Sequence, residues 1–264
     1  MLGCPPEIDA RTLLFVPGDR PERFSKARGS GAQAIVLDLE DAVLPAAKDA
    51  ARHAVFDWLG QAKGSIVRIN GAETPWFEHD IAAVAQSTAS AIMLPKADAD
   101  ALHARSWPKP VIALIESAEG LATARVVAQH PDVKRLAFGA LDFALDLDFI
   151  GPDTALDGFR LELVIASRLA GIAAPIDGVS VMIDDEASVF EDARRARSLG
   201  FAGKLCIHPR QLEAVSRAFH PSVEEIAWAR QVVGTDTTRG AAKIEGTMID
   251  EPVRRRAARI LASL

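Results

Sequence analysis

The chain has 264 residues, of which 49% are hydrophobic, enough to form the core of one or two domains. Its 30 basic and 36 acidic residues give a formal charge of -6 and form no extended Lys/Arg-rich run, which argues against nucleic-acid binding. No apolar stretch approaches the roughly 20 residues of a membrane span, and the N-terminus lacks a signal-peptide pattern. Two cysteines far apart, Cys4 and Cys206, form no disulfide framework, so a cytoplasmic location is predicted.

Strand-like and helix-like segments alternate along most of the chain. Residues 1–10 carry one glycine and two prolines and predict a loose leader. Eight apolar segments with polar or turn-forming ends predict buried strands: 12–18, 34–41, 65–70, 91–96, 111–116, 135–139, 176–181 and 203–209. Helices are predicted between and after them: 21–29, 45–61, 74–86, 98–105, 119–129, 155–169, 186–199 and 210–218.

Eight strand–helix units within about 200 residues predict parallel strands with right-handed crossovers, and therefore an α/β protein with a (β/α)8 TIM barrel over residues 1–220. The competing architecture is an open doubly wound sheet. That fold more often carries a Gly-rich dinucleotide fingerprint, which is absent, and there is no phosphate-binding P-loop motif. Residues 221–264 predict a C-terminal helical extension with a mobile Thr/Gly-rich stretch at 234–240, acting as a lid, an oligomer arm or a frayed end.

Two isolated carboxylates follow consecutive predicted strands: Glu116 ends the fifth, and Asp142 lies in a predicted loop after the sixth. Because barrel active sites lie at the carboxyl ends of the strands, both are candidate Mg²⁺ ligands. Zinc is poorly supported, since no HxxEH, HExxH or CxxC pattern is present. The pattern leaves alternatives open: an ion pair with an arginine or a helix cap for Glu116, and an Asx-turn for Asp142.

Charged residues also occupy the second and third strands. Arg68 interrupts an apolar strand, and a buried guanidinium must be paired, either with a substrate carboxylate or internally with Asp38 or Glu40. Strand alternation places Asp38 and Glu40 on one side and Asp41 on the other. Crowded carboxylates raise one another's pKa, which suits a general acid or base.

Two further polar residues end strands. The pattern favours a structural role for His208 over a titrating one. It favours ion pairing or a place in the substrate channel for Lys96 over a Schiff base.

Motifs spread over nearly the whole chain resemble the citrate lyase beta subunit-like proteins of the HpcH/HpaI aldolase and citrate lyase family. They occur in the family's order: Leu14-Phe-Val-Pro-Gly-Asp-Arg-Pro-Glu-Arg-Phe24, Leu37-Asp-Leu-Glu-Asp-Ala-Val43, Val67-Arg-Ile-Asn70, Leu94-Pro-Lys96, Ile115-Glu116 with Gly120, Phe138-Gly139 with Asp142, Gly200-Phe-Ala-Gly-Lys-Leu-Cys-Ile-His-Pro-Arg-Gln211 and Met248-Ile-Asp-Glu-Pro252. The resemblance implies a Mg²⁺-dependent carbon–carbon lyase that cleaves citramalyl-, malyl- or citryl-CoA to a keto acid and an acyl-CoA.

The resemblance also implies roles for individual residues. Glu116 and Asp142 would hold the metal, with Glu116 also beside the substrate, and Arg68 would bind the keto-acid end. The aspartate matching Asp250 would serve a neighbouring subunit's site in a homotrimer or homohexamer. A base must remove the hydroxyl proton and an acid must protonate the enolate carbon, so Glu40 and Asp41 are the candidate bases and Asp250 the candidate acid.

Two departures from the family's pattern leave the substrate open. Leu141 stands where relatives commonly carry a glutamate, and Glu245 stands where an aspartate is usual. Three other functions compete with a stand-alone lyase: a citrate lyase beta subunit acting on an acyl carrier protein thioester, a metal-dependent keto-acid aldolase without CoA, and a non-catalytic barrel. The presence of Glu116, Asp142 and Arg68 argues against the last.

Overall fold

Eight parallel strands close into a barrel in which the first strand is hydrogen-bonded to the eighth, which confirms the predicted (β/α)8 fold. The structure is a computed structural model that describes residues 5–62, 64–234, 242–244 and 247–262. The barrel strands are β1 (Thr12–Pro17), β2 (Ala34–Asp38), β3 (Ile66–Arg68), β4 (Ala91–Leu94), β5 (Val111–Ile115), β6 (Val133–Phe138), β7 (Ala173–Asp177) and β8 (Gly203–Cys206). Most of their apolar side chains are buried, on both faces of the sheet, as the continuous apolar runs predict.

Helices follow the strands around the barrel and continue beyond it. They are α1 (Phe24–Arg28), α2 (Lys48–Leu59), α3 (Phe77–Ala85), α4 (Ala99–His103), α5 (Ala118–Gln129), α6 (Ala140–Asp146), α7 (Asp157–Ala170), α8 (Glu186–Leu199), α9 (Gln211–Phe219), α10 (Val223–Gly234) and α11 (Glu251–Ala262). Among the residues described, no helix combines the length and apolarity needed to cross a membrane.

The predicted loop after the sixth strand is wrong, because residues 140–146 form the helix α6. Asp142 therefore lies in the first turn of a helix and not in a loop. Phe143 is fully buried and contacts the rings of Phe138 and Phe159, which anchors this short helix to the barrel. The aspartates of the segment suggested a loop, but its alanines and leucines favour a helix once Phe143 is anchored.

The seventh strand lies a few residues earlier than predicted, at Ala173–Asp177 instead of 176–181. Pro175 concealed its start, since proline lacks the N–H that a strand interior usually donates. Here the Pro175 carbonyl accepts a 3.0 Å hydrogen bond from the Ala202 N–H. At the strand's end, buried Asp177 accepts hydrogen bonds from Arg160 of α7 and Lys204 of β8, at 2.8 and 2.7 Å.

The predicted loose leader is wrong for residues 5–10. Pro6–Asp9 form a 3-10 helix, and Ile8, only 1% exposed, belongs to the hydrophobic cluster inside the barrel. The Arg135 guanidinium donates to the carbonyls of Ile8 and Ala10 at 2.6 and 2.7 Å. This segment is therefore ordered against the barrel, and its Ile8 and Ala10 belong to the core.

Two compact units divide the chain, residues 1–216 and 217–264, and the boundary predicted at 220 lies close to this division. In the second unit, a hairpin of β9 (Ala242–Ile244) and β10 (Thr247–Ile249) connects α10 to α11 and was not predicted. Buried Ala229, Val232, Ile249 and Ala257 form its core. Residues 235–240, most of the stretch predicted to be mobile, lie outside the described residues.

Candidate active site

A cavity of about 410 Å³ opens at the carboxyl ends of the barrel strands. The charged residues that line it follow or end β2, β3, β5 and β6: Asp38, Asp41, Arg68, Glu116 and Asp142. The strand ends therefore meet as the barrel prediction requires, and most of the predicted site residues lie at one cavity.

Glu116 is the first residue after β5 and is 3% exposed. Its Oε1 accepts a 2.8 Å hydrogen bond from the backbone N–H of Lys96, which adopts a left-handed conformation with φ of 46°. Ser117, not Glu116, caps α5, since the Ser117 hydroxyl accepts from the Gly120 N–H at 3.0 Å. The cap alternative for Glu116 is therefore wrong, and its carboxylate faces the cavity.

Gly139 makes room for the Glu116 carboxylate. A Cβ atom on Gly139 would lie 2.5 Å from both Cβ and Oε2 of Glu116, well inside van der Waals contact. This glycine directly precedes α6, which carries Asp142 in its first turn. The same short segment thus positions one candidate metal ligand and leaves space for the other.

Glu116 and Asp142 lie where a bound cation would offset the unfavourable negative charge of buried, neighbouring carboxylates. Burial, followed by the charge of Glu40, raises the pKa of Glu116 to about 8, and Asp142 adds to the effect. Burial and the charge of Asp41 raise the pKa of half-buried Asp142. In the described part of the chain, no group of three or more His, Cys, Asp or Glu side chains is arranged to hold a metal. Two carboxylates fit Mg²⁺, which usually keeps several water or substrate oxygens.

Arg68 is paired internally, as the alternative interpretation of this residue predicts. Its Nε and Nη2 donate to the two oxygens of Asp38 at 2.7 and 2.6 Å, a bidentate pair set by the pairing of β2 with β3. Its Nη1 lies 2.8 Å from Glu40 Oε2 and 3.8 Å from Asp41 Oδ2. Arg68 nevertheless lines the cavity, so its charge contributes to the site.

Glu40 is the buried member of the acidic cluster, with 5% of its surface exposed. Burial raises the pKa of Glu40 to about 7, because it outweighs the opposing charge of Arg68. Although Oε2 is close to Arg68, it accepts no hydrogen bond from the described residues. Glu40 therefore offers a buried acceptor that titrates near neutrality, whereas the side chain of Asp41 is 61% exposed.

The remaining predicted residues lie outside this cavity lining. The Lys96 ammonium is 3.6 Å from Glu73 and half-exposed, which fits ion pairing. His208 Nδ1 accepts from the Arg210 N–H at 3.2 Å, which fits the structural role. Asp250 belongs to the second unit, where its Oδ1 accepts from the Val253 N–H at 3.2 Å at the start of α11.

Sequence reasoning did not single out Lys48, a buried lysine of α2. Its ammonium donates at 2.8 Å to the carbonyls of both Leu39 and Glu40, which fixes the backbone beside Asp38 and Arg68. Burial lowers the pKa of Lys48, and neighbouring Asp38 opposes this. A lysine in the first turn of a helix gives no sequence signal of such a role.

Comparison with known proteins assigns the chain to one family. A model of the HpcH/HpaI aldolase/citrate lyase family matches residues 11–209. The citrate lyase subunit beta-like protein of Mycobacterium tuberculosis is 37% identical over 248 residues, covering 91% of this chain and 90% of the relative. A (3S)-malyl-CoA thioesterase of Cereibacter sphaeroides is 34% identical over 255 residues, covering 91% and 89%. The crystal structure of the protein CitE from Mycobacterium tuberculosis, in complex with magnesium, acetoacetate and coenzyme A, superposes with a TM-score of 0.88 at 35% identity, covering 96% of this chain and 97% of that one.

Proposed function

Because this chain belongs to the HpcH/HpaI aldolase/citrate lyase family, as its motifs predict, we propose that it is a Mg²⁺-dependent carbon–carbon lyase. It cleaves a β-hydroxy acyl-CoA thioester to a keto acid and an acyl-CoA. The observation that carries this proposal is the meeting of Arg68, Glu116 and Asp142 at one cavity. The similar structure with magnesium, acetoacetate and coenzyme A supports the same metal and thioester class for this chain.

Glu116 and Asp142 are the residues that would hold Mg²⁺. Their oxygens are the hard ligands that this ion prefers, and the raised pKa of each carboxyl reflects burial and negative neighbours that a cation would offset. When bound, the ion supplies a Lewis acid that polarises the hydroxyl or keto oxygen of the substrate. Lys96 and Gly139 hold the Glu116 carboxylate in place for this role.

Arg68 is proposed to bind the carboxylate of the keto-acid half. Asp38 fixes two of its nitrogens, so the guanidinium is pre-organised and loses little conformational freedom when substrate arrives. Its third nitrogen, Nη1, lies beside Glu40. A substrate carboxylate at the cavity would share Nη1 with Glu40.

Glu40 and Asp41 are the proposed bases for the hydroxyl proton: Asp41 lines the cavity, and Glu40 lies beside Arg68 with the more favourable pKa. The Glu40 pKa of about 7 suits proton transfer near neutral pH, and Glu40 Oε2 is a buried acceptor that receives no hydrogen bond from the described residues. Asp250 stays the proposed acid for the enolate carbon. Because that role requires a neighbouring subunit, we also propose that the chain forms a homotrimer or homohexamer. Residues 221–264 would act in it as a lid or an oligomer arm. A cytoplasmic location also stays a prediction.

Thioester hydrolysis is the second candidate activity, because relatives named (3S)-malyl-CoA thioesterase are 34% identical to this chain. The two activities give different products. A lyase releases a keto acid and retains the thioester, whereas a thioesterase releases free CoA thiol and the intact hydroxy acid.

The test is a product-resolved assay of the full chain with malyl-, citramalyl- and citryl-CoA. Keto acid is measured by hydrazone formation and free thiol by a disulfide reagent, each with Mg²⁺ and with EDTA. We expect keto acid without free thiol, abolished by EDTA and restored by Mg²⁺. Thiol release without keto acid would favour the thioesterase, and no metal-dependent cleavage of any thioester would overturn the proposal.

A further inference from the structure

Charge is unevenly distributed over the lining of the active-site cavity. Four of its side chains are carboxylates, and Arg68 is its one cation among the residues described. Two nitrogens of Arg68 are already bonded to Asp38. Lys96 lies outside the lining and is near Glu73. Mg²⁺ and Arg68 can therefore neutralise one substrate carboxylate, but little positive charge is left for a second.

Leu141 presents an apolar surface to the active-site cavity. It lies in the first turn of α6, directly before Asp142, and is 54% exposed while lining the cavity. The apolar side chains of Val179, Leu205 and Ile207 line the same cavity. A large exposed apolar side chain inside a ligand cavity is typical of a contact with an apolar part of the ligand.

The carbon that carries the substrate hydroxyl also carries one variable substituent, R. A second carboxylate in R would lose water beside Leu141 without gaining a cation, which is costly. A hydrogen atom or a short alkyl group would lose nothing there, and an alkyl group would gain by burial.

We propose that Leu141 is a specificity-determining residue that restricts the keto-acid half of the substrate to a single carboxylate, with hydrogen or a short alkyl group as R. The inference rests on the proposed lyase function. The reaction is R–C(OH)(COO⁻)–CH₂–CO–S–CoA to R–CO–COO⁻ and CH₃–CO–S–CoA. The bond between the hydroxyl carbon and the CH₂ group breaks, its electron pair goes to the CH₂ carbon, and the proton lost by the hydroxyl is balanced by one gained there. No oxidant or reductant is needed.

The experiment measures kcat/KM of the wild-type chain for citramalyl-CoA, with R as methyl, and for citryl-CoA, with R as a carboxymethyl group. We expect a preference of at least about 100-fold for citramalyl-CoA. Leu141→Arg supplies the missing cation and should reduce this preference by at least about 10-fold. Leu145→Arg is the matched control, because Leu145 lies on the same helix, is 76% exposed and does not line the cavity.

The outcomes of these assays decide the inference. A strong preference that falls in Leu141→Arg but not in Leu145→Arg supports it. Equal cleavage of citryl-CoA by the wild type, or equal effects of the two variants, overturns it. If no thioester is cleaved, the proposed lyase function fails. The preference for a single carboxylate is then still decided by calorimetry of the Mg²⁺-supplemented chain with pyruvate, 2-oxobutanoate and oxaloacetate. Tighter binding of the monocarboxylates would support the role of Leu141, and equal or tighter binding of oxaloacetate would overturn it.

Discussion

The backbone N–H of Lys96 donates a 2.8 Å hydrogen bond to Oε1 of Glu116. Lys96 has a φ of 46°, a left-handed conformation that is uncommon for lysine. The two residues follow adjacent strands, β4 and β5, so the bond links neighbouring strand ends at the cavity. It occupies one oxygen of Glu116 and leaves the other on the side of Gly139, where a side chain would displace it.

Gly139→Ala tests whether the position of the Glu116 carboxylate matters for metal binding. The added Cβ would lie 2.5 Å from Glu116 Oε2, so the carboxylate must move. We expect Mg²⁺ affinity, measured by calorimetry, to fall by about 10-fold or more. Gly158→Ala is the control, because nothing lies within 4 Å of a Cβ there. Equal affinities in the two variants would show that Gly139 does not position the ligand.

The affinity for Mg²⁺ should rise with pH. Burial and Glu40 raise the pKa of Glu116 to about 8, so below pH 8 the metal-free carboxyl is mostly protonated and Mg²⁺ must displace that proton. We expect affinity to increase by up to about 10-fold per pH unit below 8 and then to level off, with proton release seen in buffers of different ionisation enthalpy. Affinity that is constant or falls between pH 6 and 8 would contradict this expectation.

Asp38→Asn should destabilise the fold. It removes the bidentate charge partner of a guanidinium that is only 9% exposed, leaving Glu40 as the one buried carboxylate paired with it among the described residues. We expect the free energy of unfolding in urea to fall by about 3 kcal/mol. Asp41→Asn, at an exposed carboxylate 3.8 Å from Arg68, should change it by less than about 0.5 kcal/mol. Similar losses in both variants would mean that the bidentate pair is not the stabilising contact.

Turnover separates the two candidate bases. Glu40→Gln keeps the size of the side chain but cannot take up a proton, so kcat should fall by at least about 100-fold with Mg²⁺ affinity largely kept. Asp41→Asn should lower kcat only a few-fold. A larger loss in Asp41→Asn would assign the base to Asp41 instead.

Much of the barrel could be predicted from the sequence, because strands buried on both faces produce apolar runs that end in polar residues. The run from Val111 to Ile115 followed by Glu116 is the clearest case, and β5 has these bounds. The helix α6 and the start of β7 were missed. Their local signals, aspartates at 142–148 and Pro175, point away from the regular structure that tertiary packing stabilises.

The site was predicted as a set of residues but not as an arrangement. The sequence placed Asp38 and Glu40 on one side of the second strand and Asp41 on the other, but β2 ends at Asp38, and Asp38 and Asp41 both line the cavity. The pairing of Asp38 with Arg68 between the adjacent strands β2 and β3 decided a question that spacing had left open. The role of Gly139 could not be inferred, since it depends on a contact with Glu116, which precedes it by more than 20 residues. Such contacts depend on strand register, which a single sequence specifies only weakly.

The assignment of Glu116 and Asp142 as the Mg²⁺ ligands is tested most directly by calorimetric titration of the full chain with Mg²⁺. The titration compares the wild type with Glu116→Ala and Asp142→Ala. Glu119→Ala serves as control, because Glu119 is an exposed residue of the neighbouring helix α5. We expect one ion per wild-type and control chain, and affinity at least about 10-fold weaker in each of the other two variants. Unchanged Mg²⁺ affinity in both Glu116→Ala and Asp142→Ala would contradict the assignment.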